Sequence, residues 1–144
     1  MCLCLQIFVI PLKEVTKKIN PKVNLAVIPK ISIQMLVENA IIHGMPEDGA
    51  VLHIIIRVCM ENNRLLISVY DDGKGILPEK VKELNDIFSG KSADTGNSIG
   101  LPNLASRLKI LYQGEAGLFL ESQGDQFTEV KMELPIRKRG NENV

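Results

Sequence analysis

Apolar and polar residues alternate along this chain with two different periods. RLLISVYD (Arg64–Asp71) alternates between apolar and polar, most clearly in its second half, and VLHIIIRVCM (Val51–Met60) is crowded with β-branched residues; both patterns predict strands. Asn62-Asn63 between them has the chemistry of a hairpin turn. AGLFLES (Ala116–Ser122) and FTEVKMELP (Phe127–Pro135), separated by QGDQ, predict a second hairpin. A fifth extended segment falls at Lys13–Asn20 or at Val23–Ile28, and the pattern does not choose between them. Helical spacing predicts Pro29–His43, with proline at its start and Gly44 as its stop. It also predicts Pro78–Phe88, again opened by proline, and Leu101–Tyr112, with Gly114 just beyond. The segment Asn85–Ser98 (NDIFSGKSADTGNS) is polar, small and glycine-bearing, and reads as a long loop of the kind that is usually functional or disordered.

The resulting order is strand, helix, two strands, helix, helix, two strands. Hairpins with helices between them predict an α+β layered fold, with three helices on one face of a mixed sheet of about five strands. It is not the regular β-α alternation of a doubly wound fold. At 144 residues the chain fits one domain, 1–144. The apolar run MCLCLQIFVI at the start is too short to span a bilayer, and reads as a strand or helix packed on the domain. The alternative is that residues 1–12 are a linker remnant. Residues 136–144 read as a solvated tail.

Composition narrows the function classes. Seventeen basic and seventeen acidic residues give zero net charge, which argues against a nucleic-acid partner. Trp is absent and aromatics are 4%, so platforms for stacking bases are not expected. Cys2, Cys4 and Cys59 have no metal-ligand spacing and suit a reducing cytosol.

Three segments carry candidate chemistry. The first predicted helix is mostly apolar and must be largely buried, yet Glu38, Asn39 and His43 interrupt it. Met35, Asn39 and His43 fall four apart and share one stripe. A buried polar group without a partner costs about 1–3 kcal/mol, so these side chains need partners. Ordinary hydrogen bonds would serve. Alternatively, the Asn39 amide oxygen is offered to a hard cation such as Mg²⁺. Second, Asp71-Asp72-Gly73-Lys74-Gly75-Ile76 ends a strand. It reads as a plain turn, or as a site in which Asp71 accepts a hydrogen bond from the exocyclic amine of adenine. In the second reading Gly73 and Gly75 allow backbone to approach a ligand. Third, Gly96-Asn97-Ser98-Ile99-Gly100-Leu101 opens the third helix, where free N–H groups favour anions. Neither the P-loop signature nor GxGxxG is present, so a nucleotide site here is of another type.

Taken in order, LVENAIIHG, DDGKGI and GNSIGLPNLASRL resemble the N, G1 and G2 boxes of the GHKL ATPases, and look most like those of LytS-type sensor histidine kinases. The common pattern there is IPxLxLQPLVENAIKHG, DNGxGI, GxGIGLxNxxxRL and a closing LP. The resemblance runs from about Ile19 to Pro135. It implies a Bergerat fold, a mixed sheet covered on one face by helices, with ATP between them under a mobile lid formed by Asn85–Ser98. It implies Asn39 as the Mg²⁺ ligand, Asp71 as the adenine reader and Gly73 and Gly75 as the turn beside the base. Gly96 and Gly100 would lie on the phosphate side and Thr128 would support the adenine pocket. His43, Ile76, Ser98 and Leu101 also fall within the implied nucleotide site. The implied activity is transfer of the γ-phosphoryl group of ATP to a histidine, in which Glu38 would orient or deprotonate the incoming imidazole, or simply serve as a hydrogen-bond partner.

The chain departs from the pattern at Ile42 (lysine), Met35 (proline), Asp72 (asparagine), Ser98 (glycine) and Phe127 (glycine). His43 and His53 are its two histidines, and neither has the context of a phosphoacceptor helix. The acceptor is therefore expected outside this chain, in a dimerisation segment of a membrane-bound homodimeric parent that signals to a response regulator, with this domain in the cytoplasm. Hydrolytic relatives such as gyrase and MutL carry glutamate four residues before the metal asparagine, where this chain has Met35. A third reading is a degenerate module that binds nucleotide, or none, and acts as a docking surface.

Overall fold

The computed structural model describes residues 2–8, 30–48, 50–94 and 100–136. Its elements are β1 (Cys2–Phe8), α1 (Lys30–Gly44), β2 (His53–Glu61), β3 (Arg64–Asp71), α2 (Pro78–Ser89), α3 (Leu101–Leu111), β4 (Gly117–Gln123) and β5 (Phe127–Pro135). Both candidates for the first extended segment, Lys13–Asn20 and Val23–Ile28, lie outside the described residues. A strand is described at Cys2–Phe8, within the apolar run read as strand or helix.

Local turn chemistry sets the register. Asn62 and Asn63 both take positive φ, 48° and 59°, as the tightest hairpin turn requires, and Glu61 stands opposite Arg64. At the second hairpin Gln123 stands opposite Phe127, with Asp125 at φ 59° in the loop. The five strands lie in the order β1-β2-β3-β5-β4, and each neighbouring pair is antiparallel. The sheet is therefore antiparallel rather than mixed. The long excursion from β3 through both helices re-enters by the β4–β5 hairpin, whose second strand docks against β3 in the opposite sense.

Alternation along the strands gives the sheet one apolar face. Ile54, Ile56, Ile67, Val69, Leu118, Leu120, Val130, Met132 and Leu134 are buried with the inward residues of the helices. Helix α1 contributes Ile33, Leu36, Val37 and Ala40, the i, i+3, i+4, i+7 set of a single stripe. It is not buried all round: Ile42 is 69% exposed. The other face of the sheet carries ion pairs, including Arg57 with Glu129 at 3.2 Å and Lys131 with Glu121 at 2.6 Å, and a Tyr70–Phe127 stack. Surface pairs of this kind add little stability, and they mark a solvated face. Cys59 is disulfide-bonded, which runs against the reducing cytosol that the cysteine pattern suggests. Spacing along the sequence gave no sign of a disulfide.

Candidate functional site

Strand β3 ends at Asp71, on the helix-covered face in line with Ile67 and Val69. Asp71 and Thr128 are the buried polar side chains of the described residues, at 2% and 6% exposure. The register places them directly opposite one another. Asp71 Oδ1 accepts a hydrogen bond from the Gly73 amide at 3.1 Å. Burial pushes the Asp71 carboxyl up to about 6; the Gly73 amide works against this and the charge of Asp72 adds to it. Asp72 turns the other way. It accepts from the His53 amide at 2.7 Å and pairs with His53 Nδ1 at 2.6 Å. Partial burial would raise the Asp72 carboxyl, but these contacts with His53 hold it below its ordinary value.

The turn after Asp71 is clamped from both sides by the chain itself. A Cβ on Gly73 would sit 2.1 Å from the Gly44 carbonyl oxygen at the end of α1. A Cβ on Gly75, whose φ is +68°, would sit 2.1 Å from the carbonyl oxygen of Gln123. The Lys74 amide donates to Gly44 O at 3.3 Å, and Lys74 O accepts from the Asp125 amide at 2.8 Å. The Ile76 amide donates to Ser122 Oγ at 2.7 Å. The close backbone approach these glycines permit is thus to α1 on one side and to the β4–β5 hairpin on the other.

Beside this turn lies a cavity of about 400 Å³. Asn39 and His43, one helical turn apart on α1, form one wall, as their spacing predicts. Gly75, Ile76 and Leu77 form a second, and Leu101 and Pro102 at the start of α3 a third. Lys74 brings positive charge, as does Lys80, whose ammonium is paired with Glu83 at 3.0 Å, while Leu84 and Leu120 give an apolar floor. Asp71 and Thr128 lie at the sheet end that feeds the turn, buried rather than on this wall. Gly73 faces a second concavity of about 510 Å³ that Asp72 also lines. Gly100, at φ 120°, caps α3 in a conformation that favours glycine. Gly96 and Ser98 lie outside the described residues, as does part of the expected lid; the start of that segment, Asn85–Ser89, is the last stretch of α2 rather than loop, because the amphipathic helix runs on to its Gly90 cap. Glu38 accepts a hydrogen bond from Gln34 at 2.8 Å along the same helix. Met35 packs half-buried against the core.

Sequence reasoning missed three contributors. Lys80 reaches the cavity from the first turn of α2, two residues beyond the proline that opens it. Asn85 brackets Leu120, donating to its carbonyl at 2.8 Å and accepting from its amide at 2.9 Å, so its side chain continues the sheet past the edge strand. Ser122 joins Ile76, Phe127 and Thr128. For Asn85 and Ser122 the only signal was a polar residue in an amphipathic pattern. Lys80 offered none beyond its place in the turn after a glycine motif.

Residues 30–138 match the family model described as histidine kinase-, DNA gyrase B-, and HSP90-like ATPase. The chain is 34% identical over 111 residues to the sensor protein LytS of Streptococcus mutans, covering 77% of this chain and 19% of that protein. With LytS of Bacillus anthracis it is 30% identical over 129 residues, covering 90% and 21%. With the sensor histidine kinase YpdA of Escherichia coli it is 40% identical over 87 residues, covering 59% and 14%. It therefore spans about a fifth or less of the length of these relatives. The catalytic domain of the histidine kinase ThkA shares the fold, with a TM-score of 0.53 over 74% of this chain and 63% of that one, at 20% identity. With the matched residues covering α1 to β5 and the walls of the cavity, the chain belongs to the histidine kinase-, DNA gyrase B- and HSP90-like ATPase family.

Proposed function

We propose that this chain is the ATP-binding catalytic domain of a sensor histidine kinase, which transfers the γ-phosphoryl group to a histidine outside the chain. The observation that carries the reading is the single cavity shared by Asn39, the turn after Asp71 and the start of α3. In this reading the base enters far enough to uncover Asp71, which lies buried behind the cavity wall, and the ionised carboxylate accepts from the adenine amine while the apolar floor takes the faces of the base. Among the described residues no group of three or more His, Cys, Asp or Glu could hold a metal ion. That suits Mg²⁺ carried in by the nucleotide, which keeps waters and phosphate oxygens and needs little more than one amide oxygen from Asn39. Bound there, Mg²⁺ would supply charge stabilisation to the phosphates. Lys74 and Lys80 offset phosphate charge where Ile42 cannot. Gly100 and Leu101 begin a helix whose N-terminus favours anions; Gly96 and Ser98 extend the same assignment.

Glu38 is assigned to the incoming imidazole, a role that requires its release from Gln34. The longer sensor proteins that the chain resembles support a larger parent protein with two-component partners, and to that parent we assign a phosphoacceptor segment, a response regulator contact, a homodimer and a membrane anchor. The same assignment puts the domain in the cytoplasm; no helix among the described residues is long and apolar enough to cross a membrane. Hydrolysis is disfavoured because the half-buried thioether of Met35 is no base.

Calorimetric titration tests the proposal. ATP binds the chain more tightly with Mg²⁺ than without it, and Asn39→Ala abolishes that difference. An unchanged Mg²⁺ dependence in Asn39→Ala removes the ligand assignment, and absence of ATP binding removes the function.

A further inference from the structure

One polar row crosses three strands at the end of the sheet that feeds the site. Asp71 of β3 stands opposite Thr128 of β5, and Thr128 stands opposite Ser122 of β4. The Ser122 hydroxyl has one proton and two lone pairs, and all three are accounted for. The Ile76 amide, which can only donate, reaches Ser122 Oγ at 2.7 Å. The Phe127 carbonyl, which can only accept, takes the Ser122 proton at 2.7 Å. Thr128 Oγ1 lies 2.9 Å from Ser122 Oγ and must therefore be the donor of that pair. With its proton directed at Ser122, Thr128 has only lone pairs left for any other partner. Its neighbour Asp71, when ionised, also only accepts.

We infer that Ser122 is a positioning residue for nucleotide selection: by holding the Thr128 proton it makes Asp71 and Thr128 an all-acceptor edge. That edge takes a purine with an exocyclic amine and turns away one with a carbonyl in its place. This deepens the proposed function and rests on its placing of the adenine amine at Asp71, beside which the register puts Thr128. Inosine triphosphate carries a carbonyl oxygen where ATP carries the amine. A Thr128 hydroxyl released from Ser122 can rotate and donate to that oxygen. Ser122 therefore acts on selectivity through Thr128, in addition to pinning the turn through Ile76, which affects every nucleotide alike.

The experiment measures binding of ATP and of inosine triphosphate, each with Mg²⁺, to the full chain and its variants. The wild type prefers ATP. Ser122→Ala narrows that preference roughly tenfold, the scale of one hydrogen bond gained or lost in a dry site. Ser122→Thr, which keeps the hydroxyl, retains the preference. In a Thr128→Val background, Ser122→Ala no longer changes the ratio, as expected of a residue that acts through Thr128. Should Ser122→Ala fail to fold, Ser122→Cys fills the space with a weakly bonding thiol and narrows the ratio in the same direction. Equal loss of both nucleotides in the Ser122 variants overturns the inference and leaves ATP binding standing. So does narrowing that persists in Thr128→Val, or a wild type that binds ATP without preference. A wild type that binds neither nucleotide overturns the proposed function and the inference together.

Discussion

At the scale of single residues, Asp71 is held in conflict with its surroundings. It is nearly inaccessible, and burial raises its carboxyl from 3.8 to about 6. Between those two values the folded state binds more protons than the unfolded one, so stability falls as pH rises through that window. Above about pH 6 the ionised group is a standing cost to the ligand-free fold, at most on the order of 3 kcal/mol from the size of the shift. Asn can keep the hydrogen bond from Gly73 without the charge. Asp71→Asn should therefore melt higher than wild type at pH 8, by on the order of 1–3 kcal/mol, and lose this advantage below about pH 4. The same variant should no longer bind ATP, and wild-type affinity should fall as pH drops below about 6. Scanning calorimetry across pH checks the first claim; an Asp71→Asn domain no more stable than wild type at pH 8 would refute it. A residue that stabilises when removed yet is retained points to function rather than packing.

At the scale of elements, the turn between β3 and α2 owes its shape to neighbours distant in sequence. Gly75 needs positive φ and also space, since its Cβ would lie 2.1 Å from backbone of the β4–β5 hairpin. Gly75→Ala should cost at least about 2 kcal/mol, because neither backbone can move without opening the sheet. Gly117→Ala, on β4 with nothing within 4 Å, should stay within about 0.5 kcal/mol of wild type. Urea denaturation of both distinguishes a clamped turn from a merely flexible one, for which the two would behave alike. Elements specified by local chemistry were legible in the sequence. The Asn62-Asn63 hairpin, strands Arg64–Asp71 and Phe127–Pro135, and the start of α2 at Pro78 stand where turn residues and periodicity put them. Strand β1 was not legible, because an apolar run without alternation suits helix or strand equally, and its partner β2 is remote. Sheet direction was also hidden, since it depends on the path of the chain between strands. The motif residues Asn39, His43, Ile76 and Leu101 do meet at one cavity. Ser122 and Asn85 take part through contacts that only the packed sheet creates.

At the scale of the whole molecule, the cavity is a seam between layers. Its walls come from all three helices, the turn after β3 and strand β4, so a nucleotide bound there touches most of the fold at once. A ligand that binds only the folded state stabilises it by about 2.7 kcal/mol at a hundred times its dissociation constant. Mg²⁺-ATP should therefore raise the melting temperature of the entire chain in a single transition. Chemistry should stop at binding. His53 is bound to Asp72 and heads β2, away from the walls of the cavity, and His43 sits one turn from Asn39 on the helix that would hold the phosphates. Neither can present a free imidazole from the opposite side of the cleft, where an in-line acceptor has to approach. Incubated alone with γ-labelled ATP, the chain should acquire no acid-labile, base-stable label. A histidine-bearing helical segment added in trans should become labelled instead, and label on His43 or His53 would show that the acceptor lies within this domain after all.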